Sequence, residues 1–429
     1  MGIDFIGPGD AKVYDKLLAE LAAVPGLPAP YRKDNLLSKH LSSTVFFQAL
    51  ELTLQKHVNP VSDEEFRCIS YYSEEQRNTA VTSKEDFGYL AVISMAFVRR
   101  LVKIVDKLRP ALEQRNRAGE AKDKKTEEKL EQDPELTLLL EGNLQVSEAE
   151  ALEIVSGWPA PESQTQTELG SFSIFYDAIR LIWVHEWAHA LTGHATLLQE
   201  ELGLSRLYEF STERAGDSLY EQFPRNEVLQ ALEVHADEFA TRTCVRGILW
   251  FSDPVADIAG PRIDLIDRLL LFNVACCIFA IVWALQEKKY SPDDTFRPPL
   301  KPLTDEDTGP IFAITKSTHP PAAMRYQNFR GYEREIASMY RDAQGQAHLG
   351  PVVDAYSFGF VDKLGELSPH FYALKVLTPL IARTPTTKIL EAYADRLVEV
   401  SAAISPKLEE RYYLPTNDPY ADDRSNDGV

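Results

Sequence analysis

His185-Glu186-Trp187-Ala188-His189 is the segment of this 429-residue chain whose residue types and spacing most directly permit chemistry. On a helix, at ~100° per residue, the imidazoles of His185 and His189 lie ~40° apart and one turn distant, so both can reach a single ion. Zinc accepts neutral imidazole nitrogen readily. Glu186 points ~100° away from His185, so it misses the ion and faces a water bound there, whose pKa the metal lowers towards ~7; that is the place of a general base. Leu181-Ile182-Trp183-Val184 before the motif and Ala190-Leu191 after it are apolar, which lets the helix be buried behind its metal-facing stripe.

A zinc hydrolase needs a third protein ligand. His194 is one candidate. Its spacing departs from the metzincin pattern, which places Gly three and His six residues after the second histidine, whereas here Gly193 is four on and His194 five on. In a continued helix His194 sits ~140° from His189 and faces elsewhere. The other candidate is Glu233-Val234-His235-Ala236-Asp237-Glu238-Phe239-Ala240. Glu233 and Asp237 are four residues apart, so one carboxylate can bind the ion while the other accepts the second ring N–H of a ligating histidine and fixes its tautomer. His235 then faces the other way.

At these residues the sequence resembles the gluzincin metallopeptidases, in which H-E-x-x-H is followed by E-x-x-A-D on a neighbouring helix. The resemblance implies that Glu233 is the third metal ligand and that Asp237 supports a ligand from behind. Further on, Ser317-Thr318-His319-Pro320-Pro321-Ala322-Ala323-Met324-Arg325 is similar to the S-T-H-P-P-x-x-x-R segment of the CAAX-prenyl-protease and HtpX-type membrane gluzincins. A related H-P segment is expected in phage-exclusion peptidases of the Lit type. Two prolines stiffen this loop and deny it a regular helix before Ala322, so His319 is held at a fixed angle into a cleft. There it can donate to a tetrahedral oxyanion, and Arg325 can hold a carboxylate of the protein or of the substrate. The resemblance spans residues 177–329; the first hundred and seventy residues and the last hundred lie outside it.

Elements must position these motifs. Phe175, Ile179, Ile182, Trp183 and Trp187 recur at three- and four-residue spacing, which predicts a long helix over residues 171–193 with Gly193 as its stop. A second helix is expected over 226–243, with Asn226 as N-cap, and a third, apolar on every side, over 264–286. Within that third helix residues 269–285 carry Asn273 as their one polar side chain, seventeen residues against the ~20 that span a bilayer. Glu233 precedes this stretch and His319 follows it, so a single crossing would part the halves of one site, and a buried core helix is the expectation. The first hundred residues read mainly as helix with one strand near residues 65–72. Residues 90–112 have helical spacing, and further helices are expected over 332–343 and 388–404.

The expected fold class is α+β and predominantly helical. A zincin-like catalytic domain with an active-site helix and a small sheet is placed over residues 136–330. A mainly helical, regulatory region precedes it over 1–112, with a charged linker over 113–135. A C-terminal helical region over 331–413 and a flexible acidic tail over 414–429 follow.

Asp plus Glu number 65 against 45 Lys plus Arg, a formal charge of −20. Such a chain repels phosphate backbones, so nucleic acid is not an expected partner. With 44 % hydrophobic and 26 % charged residues, the composition is that of a globular protein with a sizeable core. Cys68, Cys244, Cys276 and Cys277, two of them adjacent in an apolar run, suit buried thiols in a reducing compartment better than a disulfide framework. The N-terminal Met-Gly-Ile-Asp-Phe-Ile-Gly-Pro-Gly-Asp has no basic start, apolar stretch or small-residue cleavage site, so no secretory signal is expected. Together these features predict a cytoplasmic, Zn2+-dependent endopeptidase acting on an intracellular protein or peptide substrate, with no nucleic-acid or membrane partner. Two other readings stand beside it. One is a toxin-like or phage-exclusion peptidase that waits for an activating factor; the other is a binding module on a zincin scaffold with vestigial activity.

Overall fold

The structure, a computed structural model, describes residues 3–6, 11–21, 27–31, 66–74, 80–85, 88–113, 133–140, 142–158, 166–202, 206–208, 225–250, 265–286, 319–320, 322–340 and 387–409, with the single positions 35, 37, 41, 349 and 377. Strands β1 (Ile3–Ile6), β2 (Phe66–Ser73), β3 (Ala80–Glu85), β4 (Gly88–Ser94) and β5 (Arg206–Tyr208) form one sheet in the order β1-β2-β4-β3-β5. β1, β2 and β4 run parallel, with Cys68 opposite Tyr89 and Tyr72 opposite Ile93. β3 is antiparallel to both its neighbours and pairs Thr82 with Ala91 on β4 and with Leu207 on β5.

Helices dominate the rest: α1 (Ala11–Leu21), α2 (Met95–Glu113), α3 (Pro134–Leu140), α4 (Glu148–Ser156), α5 (Gln166–Leu191), α6 (His194–Leu202), α7 (Arg225–Trp250), α8 (Leu265–Gln286), α9 (Ala322–Met339) and α10 (Thr387–Glu409). The architecture is α+β and predominantly helical. The expectation of mainly helix before residue 112 needs correction, because β1 to β4 all lie there and the helix expected from residue 90 starts at Met95. The physical reason is burial on both faces: Tyr89 to Ile93 are all buried, and a continuous apolar run has no period of two to mark it as a strand.

Alternation along β2 sorts its side chains between two cores. Ile69 and Tyr71 pack with Leu90 and Val92 against Leu18 and Leu21 of α1. Ser70 and Tyr72 point the other way and accept hydrogen bonds from the indoles of α5, Trp187 Nε1 to Ser70 Oγ at 2.7 Å and Trp183 Nε1 to the Tyr72 hydroxyl at 2.9 Å. The Tyr89 and Thr196 hydroxyls, 2.7 Å apart, tie β4 to α6. The larger core runs without a break from Leu37 through β2, β4 and α2 to α5, α7, α8, α9 and α10, ending at Leu408. The stretches assigned to regions 1–112, 136–330 and 331–413 therefore share one interior.

α8 lies at the centre. It is long and apolar enough to cross a bilayer, yet 89 % of its Leu265–Val282 stretch is buried inside the protein. Its one polar residue in the apolar run, Asn273, donates to the buried Glu333 carboxylate of α9 and to the Leu269 carbonyl at 3.3 Å. Other boundaries shift modestly. α7 begins at Arg225, so Asn226 lies within it rather than capping it, and α9 begins ten residues before the expected 332. Asp133 Oδ1 accepts from the Glu135 and Leu136 amides at 2.8 and 3.3 Å, opening α3. Of the charged linker, residues 114–132 lie outside the described residues, as does the tail 414–429.

Replacing Asn273 with Leu removes a donor from a buried carboxylate, and a loss of about 1–3 kcal/mol in unfolding free energy is expected by denaturant titration. A stabilised N273L protein would mean instead that position 273 faces an apolar surround.

Candidate metal centre

Two buried helices and one short segment converge on a point. α5 presents His185 and His189 one turn apart, α7 presents Glu233 and Asp237 one turn apart, and His319 enters just ahead of α9. His185, Glu186, His189, Asp237 and Arg325 have no solvent exposure, and His319 and Glu233 have 2 % and 3 %.

The donor atoms face one another. His185 Nε2 lies 3.0 Å from His189 Nε2 and 3.2 Å from Glu233 Oε2, and His189 Nε2 lies 3.4 Å from Glu233 Oε1. These are the separations of ligands placed 2.0–2.1 Å from a common tetrahedral centre, roughly 3.3 Å. His185 Nδ1 sits 3.0 Å from Asp237 Oδ1, and a ring proton held on Nδ1 beside that carboxylate leaves the Nε2 lone pair turned to the cluster. Lone pairs crowded in this way repel unless a ring proton or a cation lies between them, and a cation serves all three donors at once. Charge gives the same answer: Glu186, Glu233 and Asp237 against Arg325 leave two formal negative charges buried, and buried charge requires compensation. Among the described residues, His185, His189 and Glu233 are the one group able to hold a metal ion.

Ionisation suits the same role. Burial pushes the His189 pKa down to about 3, only partly opposed by the Glu233 carboxylate, so the ring is neutral. Burial likewise holds His194 well below the ordinary histidine range, with His235 and His189 adding to it, and lowers His235 against the opposing charge of Glu238. Burial works to raise Glu233, but His319, His189 and the His185 hydrogen bond outweigh it and keep the carboxyl well below its usual range.

The surroundings hold each donor. Arg325 donates to Asp237 in a two-point pair, Nε to Oδ2 at 2.7 Å and Nη2 to Oδ1 at 2.5 Å, and its guanidinium lies 4.7 Å from the Phe279 ring centre. Of the two carboxylates open to Arg325 in the sequence, protein or substrate, the structure uses the protein's. Arg325 thus lies behind Asp237, whose Oδ1 in turn lies 3.0 Å from His185 Nδ1. Phe279 of α8 also meets the His185 ring edge-on at 5.5 Å. Arg242 of α7 grips both Glu335 oxygens on α9, at 3.1 and 2.8 Å, and so holds the helix carrying Arg325. His319 Nε2 is 3.6 Å from Glu233 Oε2, at the edge of the donor cluster.

Glu186 lies against the sheet. Thr82 of β3 donates to Glu186 Oε2 at 2.6 Å and lies 2.9 Å from the Glu186 carbonyl oxygen. Nothing in the sequence around Thr82 marks it. His194 is not at the donor cluster. Gly193 takes a left-handed φ of 77°, which ends α5, and His194 restarts the chain as α6 with Nδ1 2.9 Å from His189 Nδ1. His235 does face away from the cluster, yet its Nδ1 lies 3.0 Å from His194 Nε2. No family model, curated protein or solved structure matches this chain.

The depressed histidines set a sign for acid stability. Unfolded histidine titrates near pKa ~6.5, whereas His189 folded titrates at about 3, so between these values the unfolded chain binds more protons and stability falls as pH falls. The denaturation midpoint of chelator-treated protein is expected to drop steadily below about pH 6.5, and less steeply in His194→Asn, which has one buried imidazole fewer. Equal midpoints from pH 7 to pH 4 would contradict this.

Proposed function

We propose that this chain is a zinc-dependent endopeptidase of gluzincin type, with a zincin-like core built from the sheet and α5 to α9. The carrying observation is that His185, His189 and Glu233 turn their lone pairs to one buried point while Glu186 sits on the same helix beside them. The donor set, two imidazoles and one carboxylate, is that of catalytic rather than structural zinc sites, which keep a fourth position open.

His185, His189 and Glu233 hold the ion in this reading. When bound, Zn2+ supplies a Lewis acid that lowers the pKa of a water towards about 7 and polarises the scissile carbonyl. Glu186 takes the proton from the attacking water as the C–O bond forms, and returns it to the nitrogen as the C–N bond breaks. Thr82 fixes the rotation of that carboxylate by donating to Oε2. His319 donates a ring N–H to the oxyanion that develops on the carbonyl oxygen. Asp237 and Arg325 keep His185 oriented through the carboxylate between them.

The substrate class is protein or peptide. All four cysteines are free and buried, which agrees with a reducing, cytoplasmic setting. The −20 charge argues against nucleic acid as a partner.

New N-termini generated in a lysate by wild type and by Glu186→Gln test the reading. Glu186→Gln is expected to keep one equivalent of zinc and to lose cleavage by about 10²–10⁴-fold, and Thr82→Val to lose about tenfold. Undiminished cleavage by Glu186→Gln would contradict the assignment. A wild-type protein that holds zinc and cleaves nothing would favour the binding-module reading.

A further inference from the structure

A row of imidazoles leads away from the donor cluster. His189 gives Nε2 to the cluster and turns Nδ1 to His194 Nδ1 at 2.9 Å, and His194 in turn sets Nε2 3.0 Å from His235 Nδ1. The ring centres are 5.1 Å apart at each step. Three separate features place them. Gly193 at φ 77° breaks the helical direction after His189, His194 opens α6 with no solvent exposure, and His235 lies on α7 two residues beyond Glu233.

A neutral imidazole has one N–H and one lone pair. Once the His189 Nε2 lone pair is committed to an ion, its proton is on Nδ1 and needs an acceptor, which His194 Nδ1 provides. The His194 proton then lies on Nε2 and is donated to His235 Nδ1, so the His235 proton lies on Nε2. One binding event selects one tautomer at three positions.

We propose that His194, backed by His235, is a positioning residue for the metal ligand His189, fixing its ring orientation and tautomer. The proposal rests on the metal-centre reading and extends it. The choice of a neutral partner has a physical basis. The cluster already holds two uncompensated formal negative charges, and a second carboxylate behind a ligand would add a third; imidazole orients His189 without adding charge.

Binding of Co2+ to the full-length, chelator-stripped protein tests this, with affinity read by competition against a chromogenic chelator and geometry by the visible Co2+ bands. His194→Leu fills the space but offers no acceptor; its affinity is expected to fall about 10–100-fold, with shifted bands. His194→Asn puts Oδ1 where the ring Nδ1 stands and is expected to restore most of the affinity. His235→Phe is expected to weaken binding several-fold in the wild-type background and not at all in His194→Asn, where the link to it is already cut. Wild-type affinity and bands in His194→Leu, or equal losses in the Leu and Asn variants, would overturn the proposal while leaving the metal centre intact. If wild type binds no Co2+, the metal centre and the relay fall together. If His194→Leu does not fold, the Asn and Phe variants decide: a His235→Phe effect that persists in the Asn background overturns the relay.

Discussion

His185, His189 and Glu233 hold their donor atoms 3.0 to 3.4 Å apart in a fully buried interior, an arrangement in which one cation at the centre can satisfy all three groups at once. Ordinary cores avoid it, because buried acceptors without donors cost as much as a lost hydrogen bond each. Much of the surrounding polar structure can be understood as holding these three groups in place. Asp237 lies 3.0 Å from one imidazole and His194 lies behind the other. Arg325 ties Asp237 to α9 and Phe279 presses on His185 from α8. An ion that binds the folded chain and not the unfolded one returns part of this cost as stability.

The sheet contributes alignment. α5 is anchored to β2 by two indole hydrogen bonds and to β3 by Thr82, so the helix cannot rotate without breaking buried polar contacts. That is a strong constraint on the direction of Glu186, whose Oε2 accepts from Thr82 of β3. On the far side α8 offers an apolar wall broken by Asn273, whose partner Glu333 lies on α9. The same α9 bears Arg325, and His319 comes just before it, so the packing of α8 and α9 also sets the opposite wall of the site.

The two donor helices and the core helix were legible for different reasons: α5 follows from apolar recurrence and α8 from a run apolar on every side, while the four-residue intervals 185–189 and 233–237 put paired donors on one face of α5 and of α7. β3 and β4 were not legible. β4 is buried on both faces and so lacks alternation, and Thr82 matters only because β3 lies beside α5, a neighbourhood that no local pattern encodes. His194 illustrates a different failure. Extrapolating a helical angle past Gly193 points it away from His189, but a left-handed φ at that glycine resets the direction and brings it back as a neighbour. For Arg325 the choice between a protein and a substrate carboxylate depended on where α9 lies against α7, and spacing does not carry that information.

The acidity of the chain, −20 overall, acquires a local meaning at the centre, where three carboxylates and one guanidinium are enclosed with buried histidines. An X-ray absorption spectrum of the zinc-loaded, full-length protein tests the central claim most directly. The account predicts a four-coordinate centre with light-atom ligands at 2.0–2.1 Å and the multiple-scattering signature of two imidazoles. A six-coordinate, all-oxygen shell, or a spectrum with no imidazole contribution, would contradict it.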